Sequence, residues 1–422
     1  MTADPLIPVE RVQRAVADAA RGLPECNPRA QVFFEARVDH RIVLASSGPR
    51  ESVTTRTQGG AMVSGNSFHA TEPHWLPGVE HPEQDWVVGL EPLIAEAASR
   101  ASAGRGQPAW SARLVSFRQH VWVGSPTSDV VQDVREGCRL ELRVRVGGTK
   151  SGESLEDLGF RPAGPWPIAA AFERTFDRAE LRCSMVPPPS SGQTTAVFAP
   201  GAAGVVAHEL IGHALEGDVV LRGRSWIGKG QLPAGGRPLT VVDDPRQGRG
   251  AWQIDDEGVA ARETVLVDQG RPVGVLTDRV TAEALSLPLT GHGRRSSYLE
   301  VVRPRMGCTF IEAGTDDPLE TVRSTPKGVF IRRLATGHTD PSAGRATFVV
   351  TDADRIEAGR ISGPIEAFIL VLEGRDAWGS IDRVGHDLQF DTCIGSCLRD
   401  GQPLAVSVGA PTIRIGVVGI HF

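Results

Sequence analysis

A chain of 422 residues, 40% hydrophobic and 23% charged, is long enough to bury a sizeable core and points to two or three domains. Its net charge of −6, with Lys150, Lys229 and Lys327 as the only lysines, leaves no basic footprint, so nucleic acid is not an expected partner. No stretch approaches the roughly 18 consecutive apolar residues of a spanning helix, and the N-terminus lacks a basic region followed by an apolar core, so no membrane is expected either. Cys26, Cys138, Cys183, Cys308, Cys393 and Cys397 are spread without a disulfide framework, which makes the reducing cytoplasm the expected compartment.

The first half reads as mixed helix and strand. Val9, Val12, Val16 and Ala19 recur at helical spacing behind Pro8. Leu140, Leu142, Val144 and Val146 alternate with Arg139, Glu141, Arg143 and Arg145, the pattern of a strand with one face in water. Ile168, Phe172, Phe176 and Ala179 mark a second helix. The clearest break follows at Pro187-Pro188-Pro189-Ser190-Ser191-Gly192, because three prolines cannot continue a helix. It divides the chain into an expected N-terminal α+β domain, residues 1–186, and a C-terminal catalytic domain, residues 193–422. The second half opens with a short strand, Thr194 to Phe198. It then reads as hairpins: Thr264 to Val267 and Val273 to Leu276 flank Asp268-Gln269-Gly270-Arg271, and a strand from Phe348 turns at Glu357-Ala358-Gly359. The expected class is α+β, two domains with extended antiparallel sheets and a metal-binding helix opening the second.

That helix carries the chemistry. His208-Glu209-Leu210-Ile211-Gly212-His213 joins two imidazoles able to hold a metal to a carboxylate able to take a proton from the water that the metal acidifies. In the familiar zinc helix the histidines lie four residues apart, roughly 40° around the axis, whereas five residues give roughly 140°. The two rings would then diverge. One inserted residue, a π-bulge, restores the shared face, and Gly212 is where the backbone yields most easily. The spacing therefore predicts a bulged helix, and incidental surface histidines are the alternative.

The run Val205-Val206-Ala207-His208-Glu209-Leu210-Ile211-Gly212-His213-Ala214-Leu215-Glu216-Gly217-Asp218 resembles the signature of the TldD/PmbA family of metallopeptidases, in its metal-binding TldD-type branch. Val241-Val242-Asp243-Asp244, Ile254-Asp255-Asp256-Glu257-Gly258, Thr290-Gly291-His292-Gly293-Arg294-Arg295-Ser296-Ser297-Tyr298 and Pro304-Arg305-Met306 follow in the family's order. Gly395-Ser396-Cys397-Leu398-Arg399-Asp400-Gly401-Gln402 and Val408-Gly409-Ala410-Pro411-Thr412 close the run, so the resemblance spans about the last 230 residues. It implies Zn2+ held by His208, His213 and Cys397, with Glu209 as general base. Cys393 is the competing thiolate, but the glycine and Asp-Gly-Gln around Cys397 fit the family pattern. His292 and Cys308 stand where the family more often has asparagine, and Leu334-Ala335-Thr336-Gly337-His338-Thr339 is less glycine-rich than its counterpart.

The resemblance implies a zinc-dependent peptidase cleaving unfolded or extended peptides, held by backbone pairing on strand edges. A tailoring amidase for a small peptide-like metabolite is the alternative, as is a weakly active subunit of a TldD/TldE-type assembly. The expected partners are a peptide or peptide-like substrate and a second copy or a TldE/PmbA-type paralogue in a homo- or heterodimer. Glu216 and Asp218 are candidates to orient the histidines. For Asp255, Asp256 and Glu257 a turn competes with an active-site role, and for Arg294 and Arg295 ion pairing competes with a carboxylate clamp.

Overall fold

Alternating apolar and charged residues build the first sheet of the computed structural model, which describes residues 9–23, 30–48, 50–64, 67–71, 90–105, 108–147, 151–160, 167–227, 238–391 and 396–421. Its strands are β1 (Gln31–Ala45), β2 (Glu51–Ser64), β3 (Ser67–Thr71), β4 (Ala109–Ser125), β5 (Ser128–Gly147) and β6 (Ser151–Phe160), antiparallel in the order β3-β2-β1-β4-β5-β6. The alternation over Leu140–Val146 lies in the long strand β5. There Leu140, Leu142 and Val144 are fully buried against Phe172 and Phe176 of a helix. Among the described residues, three helices pack on this sheet: α1 (Val9–Arg21), α2 (Leu90–Ser102) and α3 (Ile168–Leu181). Val12 and Val16 of α1 bury against Phe34 and Trp122, as their spacing requires; Pro8 and Cys26 lie outside the described residues.

The second half holds two larger sheets. One runs β10 (Arg271–Pro272), β9 (Thr264–Asp268), β8 (Val241–Asp243), β13 (Cys308–Ile311), β22 (Ser407–Ala410), β19 (Gln389–Asp391). The other joins β14 (Lys327–Asp340), β7 (Gly192–Phe198), β23 (Ile413–His421), β17 (Phe368–Glu373) and β15 (Arg345–Glu357), and β15 pairs back with β14, so these five strands close a ring. β16 (Arg360–Ile365) and β18 (Ile381–Val384) pair on β15 and β23. Two small hairpins remain: β11 (Gly293–Arg294) with β12 (Arg303–Pro304), and β20 (Ser396–Arg399) with β21 (Gln402–Ala405).

The chain segment α4 (Ala202–Ala207) and its continuation to Leu215 bury between these sheets. Ala203, Val206, Ile211 and Ala214 share one apolar cluster with Val241, Leu266 and Val408 of β8, β9 and β22 and with Ile331, Phe348 and Leu370 of the ring. The backbone approach is close enough that a Cβ on Gly204 would stand 2.6 Å from Gly409 N, so only glycine fits. Each fully buried Val or Leu side chain here contributes about 1.5–3 kcal/mol relative to exposure. The seam between the halves joins an apolar cluster of Phe33, Val121, Val123 and Tyr298 to polar contacts. Arg178 of α3 reaches Asp352 and Asp354 of β15, and Tyr298 N donates to Glu35 of β1 at 2.7 Å.

One expectation needs correction. The second arm of the Thr264 hairpin ends at Pro272, because Leu276 is taken by another partner: Leu276 N donates to Leu215 O and its carbonyl accepts from Gly217 N. The architecture is a mixed fold richer in sheet than in helix. Among the described residues no helix is long and apolar enough to cross a membrane.

Candidate metal centre

The five-residue spacing of the histidines is accommodated by a change of helix type. α4 is regular, His208–Gly212 forms a π-helical turn, and His213–Leu215 tightens into a 3-10 turn before α5 (Gly217–Leu221). The rings then meet, with centroids 4.9 Å apart and planes at 83°. A widened turn frees a backbone carbonyl, and Leu210 O accepts from Trp226 Nε1 at 2.7 Å. Gly212 is needed for a second reason, since a Cβ there would overlap the Met306 sulfur.

Cys397 arrives on the β20–β21 hairpin. Asp400 (φ 49°) and Gly401 (φ 80°) both adopt left-handed backbone, the two-residue turn that sets Cys397 opposite Leu404. Strand alternation then turns Cys397 inward and leaves Ser396 and Leu398 exposed. Its Sγ lies 3.4 Å from His213 Nε2, and the donor atoms of His208, His213 and Cys397 all fall within 4.8 Å of one another. Cys393 lies outside the described residues.

A layer of charge supports these side chains. Glu216, fully buried, faces His213 Nδ1 from 2.9 Å, while Arg399 donates to Glu216 at 2.7 Å and to Asp218 at 2.6 Å. Burial opposes charge on His213, yet Cys397 and Glu216 together hold its pKa well above the ordinary value. Burial likewise raises the Cys397 thiol, but His213 and His208 carry it well below its usual range. Desolvation is outweighed at Glu216 by His213, Arg399 and Arg305, so its carboxyl is held down. The cluster thus sets a thiolate and a carboxylate on either side of the His213 ring. His208 is fully buried, and neither ring nitrogen has a hydrogen-bond partner among the described residues. Orphaned imidazole nitrogens beside a thiolate fit a borderline-soft divalent cation, the ion class that two nitrogens and one sulfur select.

The site opens on a cleft of about 460 Å³. Glu209, His213 and Cys397 line one wall, and Leu334, Ala335, Gly337 and His338 of β14 line the facing one. The Glu209 carboxylate stands 3.9 Å from His213 Nε2, with 12% of its side chain exposed. The β14 wall is the part that sequence reasoning left without a role; its only signal was the departure from the glycine-rich family counterpart.

The other singled-out residues lie elsewhere. His292 is buried between Asp243 and the Thr290 carbonyl, and Cys308 packs with Val242 and Phe310, with burial pushing its thiol pKa up. Asp256 accepts from Arg135 of β5, Arg294 and the Arg295 backbone; despite burial, Arg135, Arg294 and Arg295 hold its pKa down to about 2. Asp255 accepts from the backbone of Glu257, Val259 and Gly293, the pattern of a turn. Arg294 and Arg295 stack on Trp252 and Phe33. Asp256, through Arg135, and Arg295, over Phe33, bridge the two halves, and none of these residues lines the cleft.

The chain matches the PmbA/TldA metallopeptidase C-terminal domain over residues 191–421. It belongs to the PmbA/TldD family. A metalloprotease TldD homolog of Buchnera aphidicola is 28% identical over 72% of this chain and 66% of its own length. A zinc metalloprotease TldD homolog of Saccharolobus solfataricus is 28% identical over 54% of this chain and 51% of its own length. The chain therefore matches about half to two thirds of these relatives. A crystal structure of TldE from Thermococcus kodakarensis shares the fold at a TM-score of 0.73 and 14% identity, covering 98% of this chain and 99% of that one.

Proposed function

We propose that this chain is a zinc-dependent peptidase acting on unfolded or extended peptides, with His208, His213 and Cys397 as ligands and Glu209 as general base. The observation that carries the reading is the convergence of two imidazoles and a thiolate beside an accessible carboxylate at the base of one cleft. When bound, zinc would supply Lewis acidity and bring the pKa of a water to about 7. Glu209, partly exposed to the cleft, takes the proton and returns it to the leaving amine. Glu216 holds the His213 ring through Nδ1, leaving Nε2 for the ion. The cleft between β14 and the β20–β21 hairpin gives an extended chain room to lie.

The same reading extends to organisation. Residues 1–186 and 193–422 are taken as two domains, supported by separate apolar clusters in each part. A TldE-type paralogue is the proposed partner, and a reducing cytoplasm suits a site built on a free thiolate. The test is metal analysis of the purified chain, with and without such a partner, alongside Glu209→Gln in a peptide-cleavage assay. Retained metal with activity reduced about 10²–10⁴-fold is expected. Full activity in Glu209→Gln overturns the assignment.

A further inference from the structure

The Pro304-Arg305-Met306 segment has no place in the proposed chemistry, yet it touches the Cys397 hairpin, Glu216 and the π-turn. Arg305 is almost completely buried and its guanidinium is divided among three partners. One terminal nitrogen donates to the carbonyl of Cys397 at 2.8 Å, the other to the carbonyl of Gln402 at 3.0 Å, and Nε stands 3.9 Å from Glu216 Oε1. The first two contacts span both strands of the hairpin that carries Cys397; the third reaches the carboxylate that holds His213. Arg305 N is itself fixed by the His292 carbonyl at 2.9 Å, and the next residue, Met306, fills the space that Gly212 leaves at the π-turn.

Such an arrangement solves a specific problem. Among the described residues hairpin β20–β21 pairs only with itself, so backbone pairing alone does not hold Cys397 against a helix 184 residues away in the chain. We propose that Arg305 is a positioning residue of the candidate metal centre, locking the Cys397 hairpin to the Glu216–His213 pair so that thiolate and imidazole meet at one point. The planar fork matters: a guanidinium serves two carbonyls and a carboxylate at once, whereas an ammonium is a point donor. This inference rests on the metal reading above and goes beyond it by assigning the residue that assembles the ligands.

The test is titration of the apo full-length chain with Co2+, read as dissociation constant and as the thiolate-to-cobalt charge-transfer band. Arg305→Met is expected to weaken Co2+ binding about 10–100-fold, the usual effect of removing an outer-shell partner, and to reduce the thiolate band. Arg305→Lys is expected to recover part of both, and it carries the test if the methionine variant does not fold. In a Cys397→Ser background the additional loss caused by Arg305→Met should shrink, because part of its effect acts through that sulfur. A folded Arg305→Met chain with wild-type affinity and an unchanged band overturns the proposal, as does a loss that is fully additive with Cys397→Ser. A wild-type chain that takes up no Co2+ instead brings down the metal reading itself.

Discussion

At the scale of single residues, the site depends on which sulfur reaches His213. Cys397 points inward from its strand at 3.4 Å, and its neighbours on β20 point out. Cys397→Ser is therefore expected to lower metal affinity sharply and abolish the thiolate charge-transfer band of the Co2+ form, while Cys393→Ser leaves both unchanged; the reverse result would transfer the ligand role. The two histidines and Glu209 were legible from residue type and spacing. Cys397 was legible only through family resemblance, because nothing local in the sequence tells a ligand cysteine from a small buried hydrophobe.

Helix type is the decisive matter at the scale of elements. The five-residue spacing called for a bulge, and the π-turn over His208–Gly212 meets that expectation at the predicted place. Its freed carbonyl makes a stability prediction. Trp226→Phe keeps an aromatic ring but strands Leu210 O, and should cost about 1–3 kcal/mol in a denaturant melt; a variant as stable as wild type would show that the carbonyl finds another donor. Elements whose pattern is local were readable from sequence, notably α3, β5 and the Glu357-Ala358-Gly359 turn, where Ala358 and Gly359 both have positive φ. The arm at Val273–Leu276 was not, since its fate is decided by Leu215 and Gly217, some sixty residues away. The cleft wall of β14 escaped for the same reason: pairing around the closed ring, not local periodicity, brings Leu334 and His338 to the cleft that Glu209 lines.

At the scale of the whole molecule, the seam between the halves titrates. Glu257 accepts from Arg279 N, its own carbonyl accepts from Gln31 of β1, and burial, Asp255 and Asp278 push its pKa up to about 8. A carboxyl raised on folding binds its proton more tightly in the native chain. Its contribution is therefore fully present below the unfolded value of 4.5 and is lost as pH rises toward 8. One such group changes stability by at most about 1.4 kcal/mol per pH unit. Glu257→Gln should flatten the decline of stability between pH 4.5 and 8 relative to wild type and gain most at the alkaline end, as read from chemical denaturation across that range; identical pH profiles would show that the group does not titrate there.

The 184 residues that separate His213 from Cys397 also set an order of events at the ribosome. The histidine pair emerges first, and at about 5–20 residues per second roughly ten to forty seconds pass before the cysteine follows. Strand β23, which completes the ring that packs on the helix, is made later still. A nascent chain therefore holds only part of a metal grip. On the proposed metal reading the third ligand joins the two histidines only once Cys397 has emerged, and a chain truncated before Cys397 is expected to bind Co2+ as weakly as Cys397→Ser.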